Sequence, residues 1–549
     1  MPKIARLIGG AGTGKTQRQL ETLEKVIATG VDLDHVGFVS FTRAARHVAA
    51  SRAADRFGVE VSTIERDGWF RTLHSVAYRC LELKEKIIAD DKEGREWLAQ
   101  ALQAPVKPAD DANGFESRPT ASGELGEQTQ KSLHLWSASR NRLSSLKREW
   151  ERTARVDDGL PPWESVQSDV ERYEQQKAMD HRVDFTDLLG RFAGYEFSSV
   201  GPPQRVEPQG LTPGVQAWFC DEAQDLTPLT ASVFERLIAT PTCKWAYLSG
   251  DPFQSIYGWS GASPMSFMGW DVHTEEIMRR SYRCPPNVLW MGESILSPCS
   301  DYFERNIQAT RPDCYAIEVE RRISTLADQM DPRQSWLLLA RSNFHAARIQ
   351  SVLDREGLPW RPSRGNGGWQ APSRNAALMA LLALSRGQPI DHAEWKEVVK
   401  QLPSRFDGDP LLVRGTKEKW KNKAPSAEKY CYAKDLEDWG ATRGLRERLT
   451  NGRWTQWVKH ADRFVAAEQR WGWKAATEPG IRVSTIHSAK GEEADNVVLL
   501  TTASKEISRN MLHQDGADEE RRVSYVGATR ARERLIIVRE KRQRHEIPL

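Results

Sequence analysis

Short apolar runs that end in polar or glycine residues recur along the chain and predict buried strands. In the first half they span residues 3–8, 35–41, 215–220 and 244–248, and in the second half 335–340, 482–486, 495–501 and 534–538. Segments with helical periodicity alternate with these runs, as in strands joined by crossover helices. We therefore predict an α/β fold with parallel sheets whose ligands lie at the carboxyl ends of the strands.

Two long charged segments interrupt this alternation. Residues 80–182 carry helical patterns, such as 137–155, around a stretch rich in proline, glycine, aspartate and serine at 105–126, which predicts a helical insertion with a mobile loop. Residues 365–479 are again charged, rich in tryptophan and mainly helical. We predict one sheet domain from residues 1–79 and 183–280, a second from 281–364 and 480–549, and insertions at 80–182 and 365–479.

Composition narrows the class of protein. With 39% hydrophobic and 28% charged residues, the chain has the composition of a globular protein. No apolar run approaches the ~18 residues of a membrane span, and no secretory leader is predicted, so we expect a cytoplasmic protein with no membrane partner. Seven scattered cysteines without a CxxC spacing indicate reduced thiols and no zinc site.

The net charge of +3 is a cancellation between unlike regions. The chain has 78 basic and 75 acidic residues, but residues 521–545 alone contain nine basic and two acidic ones. Near-neutrality of the whole therefore does not exclude a nucleic-acid partner.

A glycine-rich loop follows the first predicted strand. The sequence GGAGTGKT matches GxxxxGK[ST], whose backbone N–H groups wrap phosphates, whose lysine reaches the β and γ oxygens and whose hydroxyl binds Mg²⁺. We predict that the whole loop binds nucleotide, with a structural glycine turn as the alternative; its residues are Gly9, Gly10, Ala11, Gly12, Thr13, Gly14, Lys15 and Thr16.

Paired acids follow the predicted strand 215–220. A nucleotide hydrolase needs one carboxylate near Mg²⁺ and a second that positions and deprotonates water. Asp221 and Glu222 suit these two roles in that order, and Thr16 would be the other metal ligand. Alone, such a pair is often a solvated turn; the phosphate loop upstream favours the catalytic interpretation.

A series of motifs then resembles the UvrD/Rep branch of superfamily 1 DNA helicases. The resemblance spans nearly the whole chain, in the order that the family shows. Its segments are 41–45 (FTRAA), 72–75 (TLHS), 184–189 (DFTDLL), 221–225 (DEAQD), 248–251 (LSGD), 254–259 (QSIYGW), 281–283 (SYR), 339–343 (LARSN), 485–491 (TIHSAKG) and 520–531 (ERRVSYVGATRA).

The resemblance implies that ATP lies between two RecA-like P-loop domains, each with an inserted, mainly helical subdomain. Arg283 and Arg530 match the arginines that the second domain offers to the γ-phosphate, a task suited to a permanently charged fork. Gln254 resembles the γ-phosphate sensor, Tyr282 the ring that stacks on adenine, and Glu493 the ribose contact. For the arginines, a surface ion pair is the alternative.

On the DNA side, a motor that ignores sequence needs aromatic faces for bases and polar groups for phosphates. By resemblance, base stacking falls to Phe41, Tyr257 and Trp259, and contacts near the strand backbone fall to Thr42, His74, Arg341 and His487. Core packing is the alternative for each aromatic ring, and a structural role is the alternative for His487.

The implied function is an ATP- and Mg²⁺-dependent helicase that moves 3′ to 5′ on single-stranded DNA and engages duplex junctions. Two alternatives remain open. One is a translocase that unwinds little, because the insertion at 365–479 diverges from the family's second accessory domain. The other is a P-loop kinase or nucleotide-gated module that makes no use of DNA.

Overall fold

A computed structural model describes residues 2–40, 43–89, 91–103, 106–107, 120–121, 124–311, 317–365, 367–369, 371–422, 430–458, 461–540 and 545–549. The predicted mobile loop at 105–126 lies mostly outside these ranges. Within them, no helix is both long and apolar enough to cross a membrane.

Two six-stranded sheets, both entirely parallel, organise the chain. Their strands are β1 (Lys3–Gly9), β2 (Val36–Val39), β3 (Trp69–Arg71), β4 (Ala217–Cys220), β5 (Trp245–Gly250), β6 (Thr274–Met278), β7 (Ile317–Glu320), β8 (Trp336–Ala340), β9 (Arg361–Pro362), β10 (Ile481–Thr485), β11 (Ala494–Leu500) and β12 (Ala531–Val538). The first sheet has the strand order β6-β1-β5-β4-β2-β3 and the second the order β7-β12-β11-β8-β10-β9. The predicted α/β class with two parallel sheets is confirmed.

Helices cover the sheets and build the two long intervening segments. Those before the second sheet are α1 (Lys15–Ala28), α2 (Arg43–Phe57), α3 (Val61–Arg66), α4 (Leu73–Cys80), α5 (Lys92–Leu102), α6 (Glu124–Asn141), α7 (Leu146–Ala154), α8 (Trp163–Met179), α9 (Phe185–Ala193), α10 (Pro228–Ile238), α11 (Met265–Met268) and α12 (Pro286–Leu296). The later ones are α13 (Asn343–Arg355), α14 (Pro372–Ser385), α15 (His392–Gln401), α16 (Thr416–Lys421), α17 (Arg443–Thr450), α18 (Ala461–Trp471), α19 (Trp473–Thr477), α20 (Lys505–Asn510) and α21 (Gln514–Ala528).

All eight predicted strands of the two sheets are present, with ends shifted by up to three residues. Four short or edge strands (β3, β6, β7 and β9) had no prediction, because two to five residues at a sheet edge carry little hydrophobic pattern.

The prediction of one helical pattern over residues 137–155 was wrong in one respect. The chain turns between α6 and α7, where Leu143 adopts a positive φ of 53°, so two helices replace one.

A buried charge network joins α6 and α8, in the first of the two predicted insertions, to the start of α9. Arg140 of α6 bonds both Asp184 (2.8 Å) and Asp187 (2.9 Å) at the start of α9, and Lys177 of α8 reaches Asp187 at 2.7 Å. Together with Glu174 these carboxylates approach one another closely enough to hold a metal ion. The arginine and lysine already supply the compensating positive charge, so the cluster serves as an ion-pair anchor.

Candidate active site

The glycine-rich loop connects β1 to α1 at the carboxyl edge of the first sheet. Gly12 and Gly14 take positive φ values of 70° and 82°, a backbone conformation that favours glycine. The ammonium group of Lys15 folds back over the loop and donates to the carbonyl oxygens of Gly9 (3.0 Å) and Gly10 (3.4 Å). The loop therefore has the compact, curled form that a phosphate-binding loop requires.

A segment next to the second sheet covers this loop directly. The hydroxyl of Ser281 donates to the carbonyl oxygen of Ala11 (2.8 Å), and the backbone N–H of Tyr282 donates to that of Gly12 (2.9 Å). Contact is tight enough that a Cβ added to Gly12 would lie 2.3 Å from Cβ of Arg283. The predicted nucleotide site thus lies between the two sheet domains.

The paired acids lie at the carboxyl end of β4, beside the loop. Asp221 is buried, and its two oxygens accept hydrogen bonds from the hydroxyls of Thr16 (2.8 Å) and Ser249 (2.7 Å). Glu222 adopts a positive φ of 54° and accepts a 2.5 Å bond from Gln224. Strained backbone of this kind is typical of functional positions.

The environments of Asp221 and Glu222 shift the pKa values of their carboxyl groups in opposite directions. Burial, and then the neighbouring Glu222, raise the pKa of Asp221. Burial also opposes ionisation of Glu222, but Lys15 and Lys490 outweigh it and hold its pKa below the usual range. Glu222 is therefore the ionised member that suits a general base, while Asp221 is a buried carboxyl that a cation would stabilise.

Thr16 and Asp221 offer a hydroxyl and a carboxylate oxygen, the hard donors that Mg²⁺ prefers. Because the two oxygens already lie 2.8 Å apart and Asp221 is buried, the residues fit such an ion.

Arg530 is a buried cation at the same interface. Its guanidinium donates to Oε1 of Gln254 (3.3 Å) and to the carbonyl oxygens of Val526 (2.9 Å) and Glu492 (3.3 Å). In the part of the chain that the structure describes, no carboxylate forms an ion pair with it. Burial, followed by repulsion from Arg283, lowers the pKa of Arg530 to about 10. An anion placed beside Arg530 would offset the cost of burying its positive charge.

Three further predicted nucleotide contacts cluster at the mouth of the cleft. Arg283 bonds Glu493 at 2.5 Å, so these two predicted contacts pair with each other here. The side chain of Tyr282 is 62% exposed, which leaves its ring accessible to a flat ligand.

The predicted base-stacking rings have different environments. Trp259 is 46% exposed, whereas Tyr257 is buried and its hydroxyl donates to the carbonyl oxygen of His487 (3.3 Å). His487 is buried too, and its Nε2–H donates to the carbonyl oxygen of Ile256 (3.1 Å). Of these residues, only Trp259 presents a surface on which a base could stack.

The remaining predicted DNA contacts are only partly accessible. Arg341 makes two 2.7 Å bonds to the buried carboxylate of Glu520, so its charge is already compensated. His74 is half-buried, with its ring edge-on to that of Phe185. Phe41 and Thr42 lie outside the described residues.

Comparison with known proteins decides the family. UvrD/REP helicase N-terminal domains match residues 3–273, and UvrD-like helicase C-terminal domains match residues 468–542. The chain belongs to the UvrD/REP helicase family. The predicted resemblance, and with it the expectation of an enzyme of this family, is confirmed.

Several named helicases are similar to this chain over most of their length, at low sequence identity. The chain is 24% identical to the protein named ATP-dependent DNA helicase UvrD2 of Mycobacterium tuberculosis, over 97% of this chain and 76% of the relative. It is 23% identical to DNA helicase II of Escherichia coli, over 97% and 81%, and 21% identical to the protein named ATP-dependent DNA helicase PcrA of Leuconostoc citreum, over 97% and 79%.

A buried cluster of charged and polar residues, which the motifs do not predict, lies behind the phosphate loop of this UvrD-family chain. Arg305 is fully buried and bonds Asp251 and Glu293, each at 2.6 Å. The Tyr525 hydroxyl donates to Asp251 (3.0 Å) and accepts from the backbone N–H of Ala11 (3.2 Å). Arg305 lies outside every quoted motif, so no sequence signal singled it out.

Lys490 is a second residue whose role was not predicted, although it lies in the quoted segment 485–491. Its ammonium group donates to both oxygens of Asp225 (2.5 and 2.6 Å) and to the carbonyl oxygen of Gln254 (2.7 Å). It thus ties the carboxyl edge of the first sheet to the loop that follows β10.

We expect His487 to make the stability of this UvrD-family chain depend on pH. Burial, then Arg341 and Lys490, lower the pKa of His487 from about 6.5 to about 3. Below pH 6.5 the unfolded chain binds a proton that the folded protein does not, so stability present above pH 6.5 is lost as the pH falls. Between pH 7.5 and pH 5.5, the free energy of unfolding of wild type should fall by ~1.4 kcal/mol more than that of His487→Gln. Urea denaturation at the two pH values measures this difference.

The exposed His35 supplies the control. His35→Gln should lose as much stability as wild type over the same interval. An equal loss in His487→Gln and wild type would mean that the folded protein protonates His487 readily.

Proposed function

We propose that this protein is an ATP-dependent DNA helicase that moves along single-stranded DNA, 3′ to 5′, and separates strands at duplex junctions. Family membership supports the activity, and the direction follows from the resemblance. The observation that carries the proposal is the composite cleft. The phosphate loop and paired acids of one sheet domain face the buried guanidinium of Arg530 from the other.

Four structural units would carry out this function. Residues 1–79 with 183–280 form the ATP-binding domain, and residues 281–364 with 480–549 form the second RecA-like domain. Residues 80–182 and 365–479 are the two inserted subdomains. The two sheets and the helical character of the intervening segments support this division.

In the ATP cleft, the loop N–H groups and Lys15 would hold the phosphates. Thr16 and Asp221 would hold Mg²⁺, which supplies positive charge against the phosphate oxygens when bound. Glu222 would take the proton of the attacking water, since its environment favours the ionised form. Tyr282 would stack on the base. Glu493 would contact the ribose once its ion pair with Arg283 has broken.

Arg530 and Gln254 would couple hydrolysis to domain movement. Their side chains already bond each other at 3.3 Å across the interface. An anionic γ-phosphate would draw the guanidinium of Arg530 toward the first domain, and its release would weaken that attraction. The two domains would then shift relative to each other once per ATP, with Trp259 contacting the bases that pass.

An unwinding assay tests the function as a whole. With ATP and Mg²⁺, duplexes with a 3′ single-stranded tail should be separated, whereas 5′-tailed and blunt duplexes should not. DNA-stimulated hydrolysis without separation of any substrate would instead identify a translocase. ATP hydrolysis that ignores saturating single-stranded DNA would reject the motor and favour a nucleotide-gated module.

Arg530→Ala should lower kcat for ATP hydrolysis by about 10³ or more while ATP binding is largely kept. The reason is that a buried arginine that meets the γ-phosphate stabilises mainly the transition state. Steady-state kinetics with Lys15→Ala as the inactive reference would measure this. Arg539→Ala is the matched control, because Arg539 is 50% exposed just past the opposite end of β12. A change in KM alone would contradict the assignment.

Trp259→Ala should weaken stimulation by single-stranded DNA while basal hydrolysis survives. Loss of one base-stacking platform costs about 1–3 kcal/mol, so half-maximal stimulation should need ~5- to ~150-fold more oligonucleotide. Trp290, which is 72% exposed on α12, provides the matched control as Trp290→Ala. Equal behaviour of the two variants would show that Trp259 is a structural residue.

A further inference from the structure

A basic groove lies on the second sheet domain, away from the ATP cleft. It encloses about 810 Å³ between the exposed side of α13 and the turn after β7. Four arginines and one glutamate line it, together with apolar and serine side chains; the charged residues are Arg321, Arg322, Arg348, Arg355 and Glu540. The groove therefore carries a clear excess of positive charge.

One wall of the groove is a stripe along α13. Arg348, Ser351 and Arg355 line the groove, and Phe344 precedes them by one turn on the same side of the helix. All four side chains are exposed. Phe344 is 71% exposed at the first turn of the helix. From Phe344 to Arg355 the stripe extends ~17 Å at 1.5 Å per residue. An aromatic ring followed by spaced arginines is the combination that suits a nucleic-acid strand.

The arginines of the groove are not neutralised equally. Arg348 pairs with Glu540 at 2.9 Å, and Arg355 contacts the adjacent Glu356 at 3.3 Å. Nevertheless, Arg348 exposes 47% of its side-chain surface and Arg355 exposes 67%. Across the groove, neither Arg321 nor Arg322 pairs with a carboxylate among the described residues.

The groove lies at the edge of the second sheet where the DNA contacts of this domain were predicted. Strands β7, β8, β11 and β12 are parallel, so Arg321, Leu500 and Glu540 share a carboxyl edge with Arg341. At that edge Arg341 is neutralised by Glu520 and His487 is neutral. The groove thus holds accessible positive charge that the two predicted backbone contacts of this domain lack.

We propose that this groove binds the sugar-phosphate backbone of single-stranded DNA beyond the motif-lined path, with Phe344 contacting a base at its entrance. This inference rests on the proposed function, because the strand in the groove is the one on which the motor would move. The stripe is long enough for about five phosphates at ~3.4 Å each in a stacked strand.

Arg322→Gln with Arg355→Gln tests the groove and leaves the Arg348–Glu540 pair intact. Binding of labelled oligothymidylates from about 8 to about 30 nucleotides would be measured as salt is raised. For long oligonucleotides the slope of log affinity against log salt should become shallower by about 1.4, or ~0.7 per arginine. Binding of the shortest ones and their maximal ATPase stimulation should not change.

The control is the double variant Arg333→Gln with Arg443→Gln, which removes the same charge from exposed positions outside the groove. Groove and control variants with identical slopes at every length would overturn the groove while leaving the helicase proposal intact. Equal loss of affinity for poly-glutamate and for oligothymidylate would also overturn it, in favour of an acidic protein partner. If wild type neither binds the oligonucleotides nor hydrolyses ATP faster with them, both proposals fail together.

Discussion

The ion pair between Arg305 and Asp251 is the interaction on which the geometry of the nucleotide cleft depends. Both side chains are fully buried, and they join the second domain to the end of β5 in the first. Asp251 also accepts bonds from Gln254 (2.8 Å) and Tyr525, and Tyr525 in turn holds the N–H of Ala11 in the phosphate loop. A buried pair of this kind costs about 3–5 kcal/mol to break from one side, because the remaining charge has no water.

The Arg305–Asp251 ion pair explains how the cleft can keep another charge, that of Arg530, in a buried environment that disfavours it. With Asp251 and Arg305 satisfying each other, Gln254 is oriented toward Arg530, whose buried guanidinium forms no ion pair with any carboxylate of the described residues. A binding site assembled in this way gains most from a ligand that brings negative charge to that point. The same packing leaves no room at Gly10, where a Cβ would lie 2.2 Å from Ile307. Loop shape and domain contact are therefore interdependent.

Much of the fold could be predicted from the sequence because buried parallel strands consist of runs of apolar residues. The central strands β1, β4, β5 and β8 were found in this way, whereas β7 and β9 lie at or near the sheet edge and carry too little pattern. The turn at Leu143 was missed for a different reason. Helical patterns continue on both sides of it. The break combines a positive φ at a leucine, a residue type that does not predict one, with Ser145, whose hydroxyl caps the start of α7.

The sequence by itself determined the chemistry of the phosphate loop, since GxxxxGK[ST] requires particular backbone conformations and a lysine within a few residues of one another. It also determined the family, through an ordered series of motifs, although the chain is only 21–24% identical to these relatives. Tertiary structure alone decided which motif residues face solvent and which pair with each other. Tyr257 and Arg341 match the family pattern as well as Trp259 does, yet one is buried and the other is bonded to Glu520. Burial and pairing depend on residues distant in the chain, and a local motif does not encode those partners.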